Sequence, residues 1–214
     1  MCRLRTAFLI LISIFVFTEC SPVWQLEKVK TNNDTVFMPD AVIGKDFSTL
    51  LYKADIELLG SFYSGLLFVK YDSLQNAHFI VAMSEFGLSF LDMTFTKGEI
   101  EINNIQPFLD RRAVKKNLKN SFRILLTDLA TFSNTRLYQD AERGINVFKI
   151  KDKSGRYYYF CNEQNKTDKI IRRLWGRNRQ TISINYNSKQ YPQSIVLVNE
   201  GINFSMELNL LKAN

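Results

Sequence analysis

The chain has few of the residues that form covalent cross-links and metal sites. Its 214 residues include only three cysteines and one histidine. Structural zinc sites draw their four ligands mainly from cysteine and histidine, and disulfide-stabilised domains need paired cysteines. No glycine-rich phosphate-binding loop is present either. We therefore expect no metal and no cofactor, and a single domain that is stabilised by its hydrophobic core.

The scarcity of histidine also limits catalysis. His78 is the only candidate base for a Ser-His-Asp triad, and it lies in a predicted strand without a Gly-x-Ser-x-Gly elbow. Cys161 follows four aromatic residues, which favours a buried strand residue over a reactive thiol. Glu99 and Glu101 share one strand face, as solvated carboxylates commonly do. These residues predict a protein that is not an enzyme.

Long apolar runs are also rare, and the longest one lies at the N-terminus. Ala7–Phe17 is a run of 11 residues that is apolar except for Ser13, shorter than the ~20 residues that span a bilayer. Arg3 and Arg5 precede this run, which is the pattern of a secretory signal peptide. The rest of the chain has no stretch that is long and apolar enough to cross a membrane. We therefore predict an exported protein with residues 1–19 as its signal peptide.

Cys20 directly follows this signal and resembles the cysteine of a bacterial lipobox. In lipoproteins the signal is cleaved before that cysteine, and its thiol receives a diacylglycerol. Phe17 and Glu19 depart from the usual lipobox residues, so an ordinary secretory signal cleaved nearby is the alternative. We predict lipidation of Cys20, attachment to a membrane through this lipid, and residues 20–48 as a tether that leads into the domain.

The formal net charge of +7 would favour a negatively charged binding partner. Nucleic acid would fit the charge, but the export signal argues against it. Attraction to anionic lipid headgroups is one interpretation, and a solvated face that keeps the protein soluble is the other. The residues predicted to contact headgroups are Lys169, Arg172, Arg173, Arg177 and Arg179.

One long segment, Pro107–Leu129, has the periodicity of an amphipathic helix. Its apolar residues recur at steps of three and four, and basic residues fill most of the remaining surface. Proline suits a first helical turn, where its missing N–H has no intrahelical partner. The predicted apolar stripe consists of Leu109, Ala113, Val114, Leu118, Phe122, Leu125, Leu126 and Leu129.

Alternating apolar and polar residues predict strands on both sides of this helix. About five strands fall between Thr49 and Ile102, with a β-bulge near Phe90, and a second meander runs from Asn146 to Leu211. About ten antiparallel strands tend to curl toward a barrel, and a helix in the concave side buries both apolar faces. We predict an α+β, mainly antiparallel β domain over residues 49–214.

The apolar residues of the strands and the helix have two possible roles. They line a ligand cavity, or they form an ordinary core, and the periodicity is the same for both. The residues predicted to line a cavity are Phe62, Leu66, Phe79, Phe90, Phe95, Leu118, Phe122, Leu126, Phe204 and Met206.

Several of these segments together resemble one family. The lipobox-like start, the strand from Gly60 to Tyr71, the segment Phe86–Met93, the helix and the Tyr191-Pro192 start of the last hairpin are similar to the LolA/LolB-like lipoprotein carriers and receptors, particularly their Bacteroidetes relatives. The resemblance implies an unclosed β-barrel whose hydrophobic cavity holds acyl chains, without catalytic residues.

The expected function is therefore that of a bacterial envelope lipoprotein, in the outer membrane and facing the periplasm. It would bind an acyl chain or the lipid anchor of a lipoprotein. The alternative is a structural lipoprotein without a cavity that docks an envelope protein complex.

Overall fold

A computed structural model describes residues 26–29, 38–152, 154–175, 177–186 and 191–214. The predicted signal peptide and Cys20 lie outside the described residues. Within them, thirteen strands and one α-helix are present. The strands are β1 (Leu26–Lys28), β2 (Thr49–Leu58), β3 (Ser61–Asp72), β4 (Ala77–Met83), β5 (Ser89–Thr96), β6 (Glu99–Ile105), β7 (Arg136–Asp140), β8 (Asn146–Asp152), β9 (Gly155–Cys161), β10 (Thr167–Leu174), β11 (Arg177–Tyr186), β12 (Pro192–Asn199) and β13 (Phe204–Ala213).

All described strands belong to one antiparallel sheet. Its order is β1-β7-β8-β9-β10-β11-β12-β13-β2-β3-β4-β5-β6, so β13 and β2 join the two meanders at its centre. The sheet curls but does not close, which confirms the mainly antiparallel, unclosed barrel predicted from the sequence. It has more strands than the approximate number predicted, because two short strands had no counterpart among the predicted ones. The additional β1 and β7 have three and five residues, too few for a clear alternation.

The helix α1 covers Arg112–Leu126 and is shorter at both ends than predicted. Residues 107–109 form a turn, in which the Leu109 N–H donates to the Gln106 carbonyl. A 3-10 turn over Leu129–Thr131 follows the helix. Within the apolar stripe Ala113 is exposed, contrary to the prediction, while the other seven residues are buried. The helix therefore presents a continuous apolar face to the sheet.

The inner face of the sheet receives that stripe. Alternate residues of β2 to β13 point to it, and they form one hydrophobic cluster with the helix and with Val42, Ile43 and Phe47. The opposite face carries a second, small cluster, against which Leu26 of β1 packs, made of Val147, Tyr158, Phe160 and Ile171. The central strands contribute to the inner face Leu50, Tyr52, Ala54, Leu67, Val69, Ile80, Met93, Ile182, Ile195, Leu197, Met206 and Leu208.

Two local features bend the sheet. The predicted bulge is confirmed, because Ala82 pairs with Leu91 but Met83 pairs with Ser89, which leaves Phe90 as the extra residue. At Gly65 a Cβ atom would lie 2.2 Å from the carbonyl oxygen of Met83, so only glycine allows this close approach of β3 and β4.

We expect Phe122→Ala to lower the free energy of unfolding by about 3–5 kcal/mol, because its fully buried ring leaves a cavity between helix and sheet. Lys116→Ala, at an exposed position of the same helix, is the control and should stay within about 0.5 kcal/mol of the unsubstituted chain. Urea unfolding measures both. Similar free energies for the two variants would contradict a helix that is stabilised by its apolar stripe.

Candidate functional site

The interface between α1 and the inner face of the sheet is the candidate site. Leu118, Phe122 and Leu126 of the helix and Phe204 and Met206 of β13 are each at most 3% exposed, and they belong to one cluster. Phe95 is buried in the same cluster, and Phe90 packs at its margin. The structure thus brings together seven of the ten residues predicted to line a cavity. Their side chains fill the interface between helix and sheet.

The other three predicted residues lie elsewhere. Phe62 is 78% exposed, and Leu66 and Phe79 are half-buried on the outer face of β3 and β4. Their neighbours Leu67 and Ile80 point inward instead. The prediction that these three residues line the interior is wrong, because β3 and β4 carry apolar residues on both faces and alternation alone does not distinguish the faces.

A segment before the first long strand closes one end of the interface. Ile43 is 1% exposed and donates its N–H to the Leu125 carbonyl at 2.9 Å, and the Ala41 N–H donates to Asp128 Oδ1 at 2.9 Å. This part of the predicted tether is therefore fixed to the end of α1. Its sequence signal was the apolar pair Val42-Ile43 within a polar region.

Next to this segment lies a cavity of about 200 Å³ that opens to solvent. Ile43, Phe47 and Leu50 line its wall and also belong to the interior cluster. Lys166 and the hydroxyl-bearing Tyr186 line its other side. Residues of the apolar interior therefore also line a solvent-open cavity at this end of the sheet.

Three buried polar residues interrupt the apolar interface. Gln180 Nε2 of β11 donates to Ser121 Oγ at 2.6 Å, and Ser121 Oγ donates to the Asn117 carbonyl at 2.7 Å. Asn117 Nδ2 and Gln180 Oε1 have no hydrogen-bond partner among the described residues, although both side chains are at least 96% buried. A buried amide donor and a buried amide acceptor therefore remain available inside the interface. Asn117 and Ser121 are four residues apart beside the apolar stripe, and this spacing is the sequence signal of the buried polar group.

A polar network fixes the C-terminal half of α1 to the turn between β8 and β9. Arg123 forms a largely buried ion pair with Asp152, whose carboxylate also accepts hydrogen bonds from the Ser154 N–H and Oγ, both at 2.7 Å. Ser154 Oγ is 2.6 Å from the Tyr157 hydroxyl. Burial acts to raise the pKa of Asp152, but the Ser154 hydrogen bonds and the Arg123 charge outweigh it and lower this pKa.

The only histidine and the one described cysteine are both buried in the protein core. His78 is 1% exposed among aromatic rings, and its Nε2 lies 2.7 Å from the Gly44 carbonyl oxygen. Burial lowers the pKa of His78, so its imidazole is neutral near pH 7 and donates to that carbonyl. Burial raises the pKa of the Cys161 thiol to about 12, which disfavours the reactive thiolate.

The predicted headgroup-binding residues do not share one environment. Arg172 donates from Nε at 2.9 Å and from Nη2 at 2.6 Å to the Ser154 carbonyl, so its guanidinium is used inside the protein. Lys169 and Arg173 alternate with inward-facing residues of β10 and lie on the outer face. Arg177 is exposed at the turn that starts β11, and Arg179 lies at a bulge two residues later. For Arg172 the two hydrogen bonds to a backbone carbonyl do not support the prediction, which stays a prediction for the other four residues.

Two absences concern only the residues that the structure describes. The described residues contain no cluster of three or more histidine, cysteine or acidic side chains that could hold a metal ion. No helix in this part of the chain is long and apolar enough to span a bilayer.

A known structure shares this fold. A LolA superfamily protein from Nitrosomonas europaea matches with a TM-score of 0.57 at 10% sequence identity, over 79% of this chain and 86% of that chain. An outer membrane lipoprotein-sorting protein domain from Vibrio parahaemolyticus matches with a TM-score of 0.48 at 12% identity, over 78% of this chain and 85% of that chain. No protein-family model and no curated protein sequence matches the chain. The LolA/LolB-like resemblance predicted from the sequence is confirmed at the level of the fold.

We expect Asp152→Asn to lower the free energy of unfolding by about 1.5–3 kcal/mol, because it removes charged hydrogen bonds that fix α1 to the sheet. The control is Asp55→Asn, which alters an ion pair with Lys53 in which the Asp55 side chain is 44% exposed. Exposed pairs contribute about 0–1 kcal/mol. Chemical denaturation measures both variants, and equal losses would contradict the role of this network.

Proposed function

We propose that the chain is a non-catalytic lipoprotein of the bacterial envelope that binds an acyl chain, or the lipid anchor of another lipoprotein, between α1 and the inner face of the sheet. The observation that carries this proposal is an amphipathic helix laid along the concave side of a LolA-like sheet. The proposed ligand-contacting residues are Phe90, Phe95, Leu118, Phe122, Leu126, Phe204 and Met206.

The buried polar residues support an amphiphilic ligand rather than a pure hydrocarbon. Leaving a buried amide without a partner costs about 1–3 kcal/mol, so a core selected only for stability would replace it with an apolar residue. Asn117 Nδ2 is placed to donate to a ligand carbonyl, and Gln180 Oε1 to accept from a ligand hydroxyl or amide. An acyl chain with an ester or carboxyl end matches this combination of apolar walls and polar groups.

Binding requires the helix to move, because its apolar side chains fill the interface. The N-terminal half of α1 is the weaker end. Its N-cap, Arg111, makes no side-chain capping hydrogen bond, and the first turn contains no acidic residue to offset the positive end of the helix dipole. The other end is held by the Arg123–Asp152 pair. The helix would therefore swing away from the sheet at its N-terminal end and admit the chain.

The alternative function, a structural lipoprotein that docks an envelope protein, has one specific observation in its favour. Phe122, Met206 and Leu118 are at most 2% exposed, so the interior is already packed without a ligand. A protein of this kind would copurify with a stoichiometric partner and would carry no lipid.

We expect lipid extracted from the purified protein to contain acyl chains by mass spectrometry, and a fluorescent fatty acid to bind. A ligand at a hundredfold its Kd stabilises the folded state by about 2.7 kcal/mol, which thermal unfolding detects.

Asn117→Leu should weaken fatty-acid binding roughly fivefold through one lost hydrogen bond, without lowering the stability of the ligand-free protein. Asn104→Leu makes the same change at an exposed site and should not alter binding. Protein without lipid that also fails to bind fatty acid would contradict the carrier and favour the alternative.

We expect Cys20→Ala to move the protein from the membrane fraction to the soluble periplasmic fraction, because the acylated thiol would be its anchor. Ser21→Ala, at the next residue, leaves the thiol in place and is the control. Cell fractionation with metabolic labelling by a fatty acid measures both. A Cys20→Ala protein that remains labelled and in the membrane would contradict lipidation at this cysteine.

A further inference from the structure

Two hairpin turns form a basic cleft at one end of the sheet. Because β8 to β11 form an antiparallel meander, the β8–β9 and β10–β11 turns lie at the same end. The cleft between them has a volume of about 410 Å³. Its lining residues are Lys151, Asp152, Gly155, Arg156, Tyr158, Arg173, Leu174 and Trp175.

Trp175, at the tip of the β10–β11 turn, is costly in two ways. Its side chain is 90% exposed, and its φ of 53° places a bulky residue in the left-handed region. Such a backbone conformation costs about 1–3 kcal/mol, and exposed indole gains no hydrophobic stabilisation. Folding alone would favour glycine or asparagine here. Tryptophan at a strained, exposed tip is typical of a contact with something outside the protein.

The charge around this tip is positive. Lys151 and Arg156 are exposed beside the cleft, and Arg177 is exposed directly after the turn. Asp152 is the one carboxylate in the cleft lining, and it already pairs with Arg123 and accepts from Ser154. The cleft therefore presents cations that attract an anion, with an apolar ring next to them.

We propose that this hairpin tip docks on an anionic lipid bilayer, with lipid phosphates in the cleft and Trp175 in the interfacial layer. Tryptophan favours the boundary between headgroups and acyl chains, and each basic residue near an anionic leaflet adds about 1 kcal/mol of attraction. The inference rests on the proposed function for the presence of a membrane nearby. It replaces the predicted set, from which Arg172 is removed, by Lys151, Arg156, Arg173, Trp175 and Arg177.

The test uses the predicted mature chain, residues 20–214, with Trp24→Phe and Cys20→Ala, so that Trp175 is the only tryptophan and neither the apolar signal nor a lipid anchor is attached. The fluorescence of Trp175 is recorded with vesicles of phosphatidylcholine alone, and with vesicles of phosphatidylcholine and phosphatidylglycerol. We expect a blue shift and quenching by brominated acyl chains only on the anionic vesicles, with a loss of both at high salt.

Charge variants separate the basic cleft from the rest of the surface. Arg156→Gln with Arg177→Gln should lose the shift and the quenching on anionic vesicles. Lys97→Gln and Leu74→Ala change exposed residues at the opposite end of the sheet and should retain both effects. Retention of the shift by the double variant would overturn the proposal, as would equal shifts on both vesicle types or none on either.

A soluble acidic polypeptide is the remaining arm of the experiment. A shift with polyglutamate but not with anionic vesicles would assign the tip to an acidic protein surface and overturn docking on lipid. The fatty-acid assay of the interior is independent of Trp175, so failure of this inference is distinguishable from failure of the proposed function.

Discussion

The burial of one helical apolar stripe against a curled sheet is the interaction on which this structure depends. The described chain contains no disulfide that could stabilise the fold instead, and Cys161 is a buried free thiol. Phe122 and Leu125 are fully buried in this contact, and each large side chain contributes roughly 1.5–3 kcal/mol. The sheet needs the helix as much as the helix needs the sheet, because an inner face this apolar would otherwise be exposed to water.

Any function in the interior must therefore compete with stability. A ligand that enters between helix and sheet replaces protein contacts by ligand contacts, and only the difference in free energy appears as affinity. The buried amides of Asn117 and Gln180 reduce the cost of opening, because their hydrogen-bonding capacity is incompletely used in the closed state. The Arg123–Asp152 pair acts in the opposite direction, because opening at the C-terminal end of the helix would break it.

The sequence predicted the helix and most strands because their periodicities are strong. The last strand is an example: Phe204, Met206 and Leu208 alternate with polar residues and are buried. The short strands β1 and β7 were missed because three and five residues carry too little alternation. The helix was predicted too long because Pro107 is also compatible with the turn that precedes it.

The candidate site was predicted less completely than the fold, for a physical reason. Alternation reports that a strand has two faces, but β3 and β4 have apolar residues on both, and this placed Phe62 and Phe79 inside. The role of Arg172 depends on a backbone carbonyl in a distant turn, which no local pattern encodes. The exposure of Trp175 likewise follows from the position of a turn rather than from its hydrophobicity.

Ser154 belongs to two parts of the molecule at once. Its side chain donates to the carboxylate that pairs with Arg123 of the helix, and its carbonyl accepts from Arg172 in the strand that leads to Trp175. If contact at the hairpin tip shifts this serine, the free energy with which the helix is held against the sheet changes. Thermodynamic linkage then requires that movement of the helix alter the affinity of the tip by the same amount. Ligand binding in the interior and binding of the hairpin tip to a surface would in that case be thermodynamically coupled.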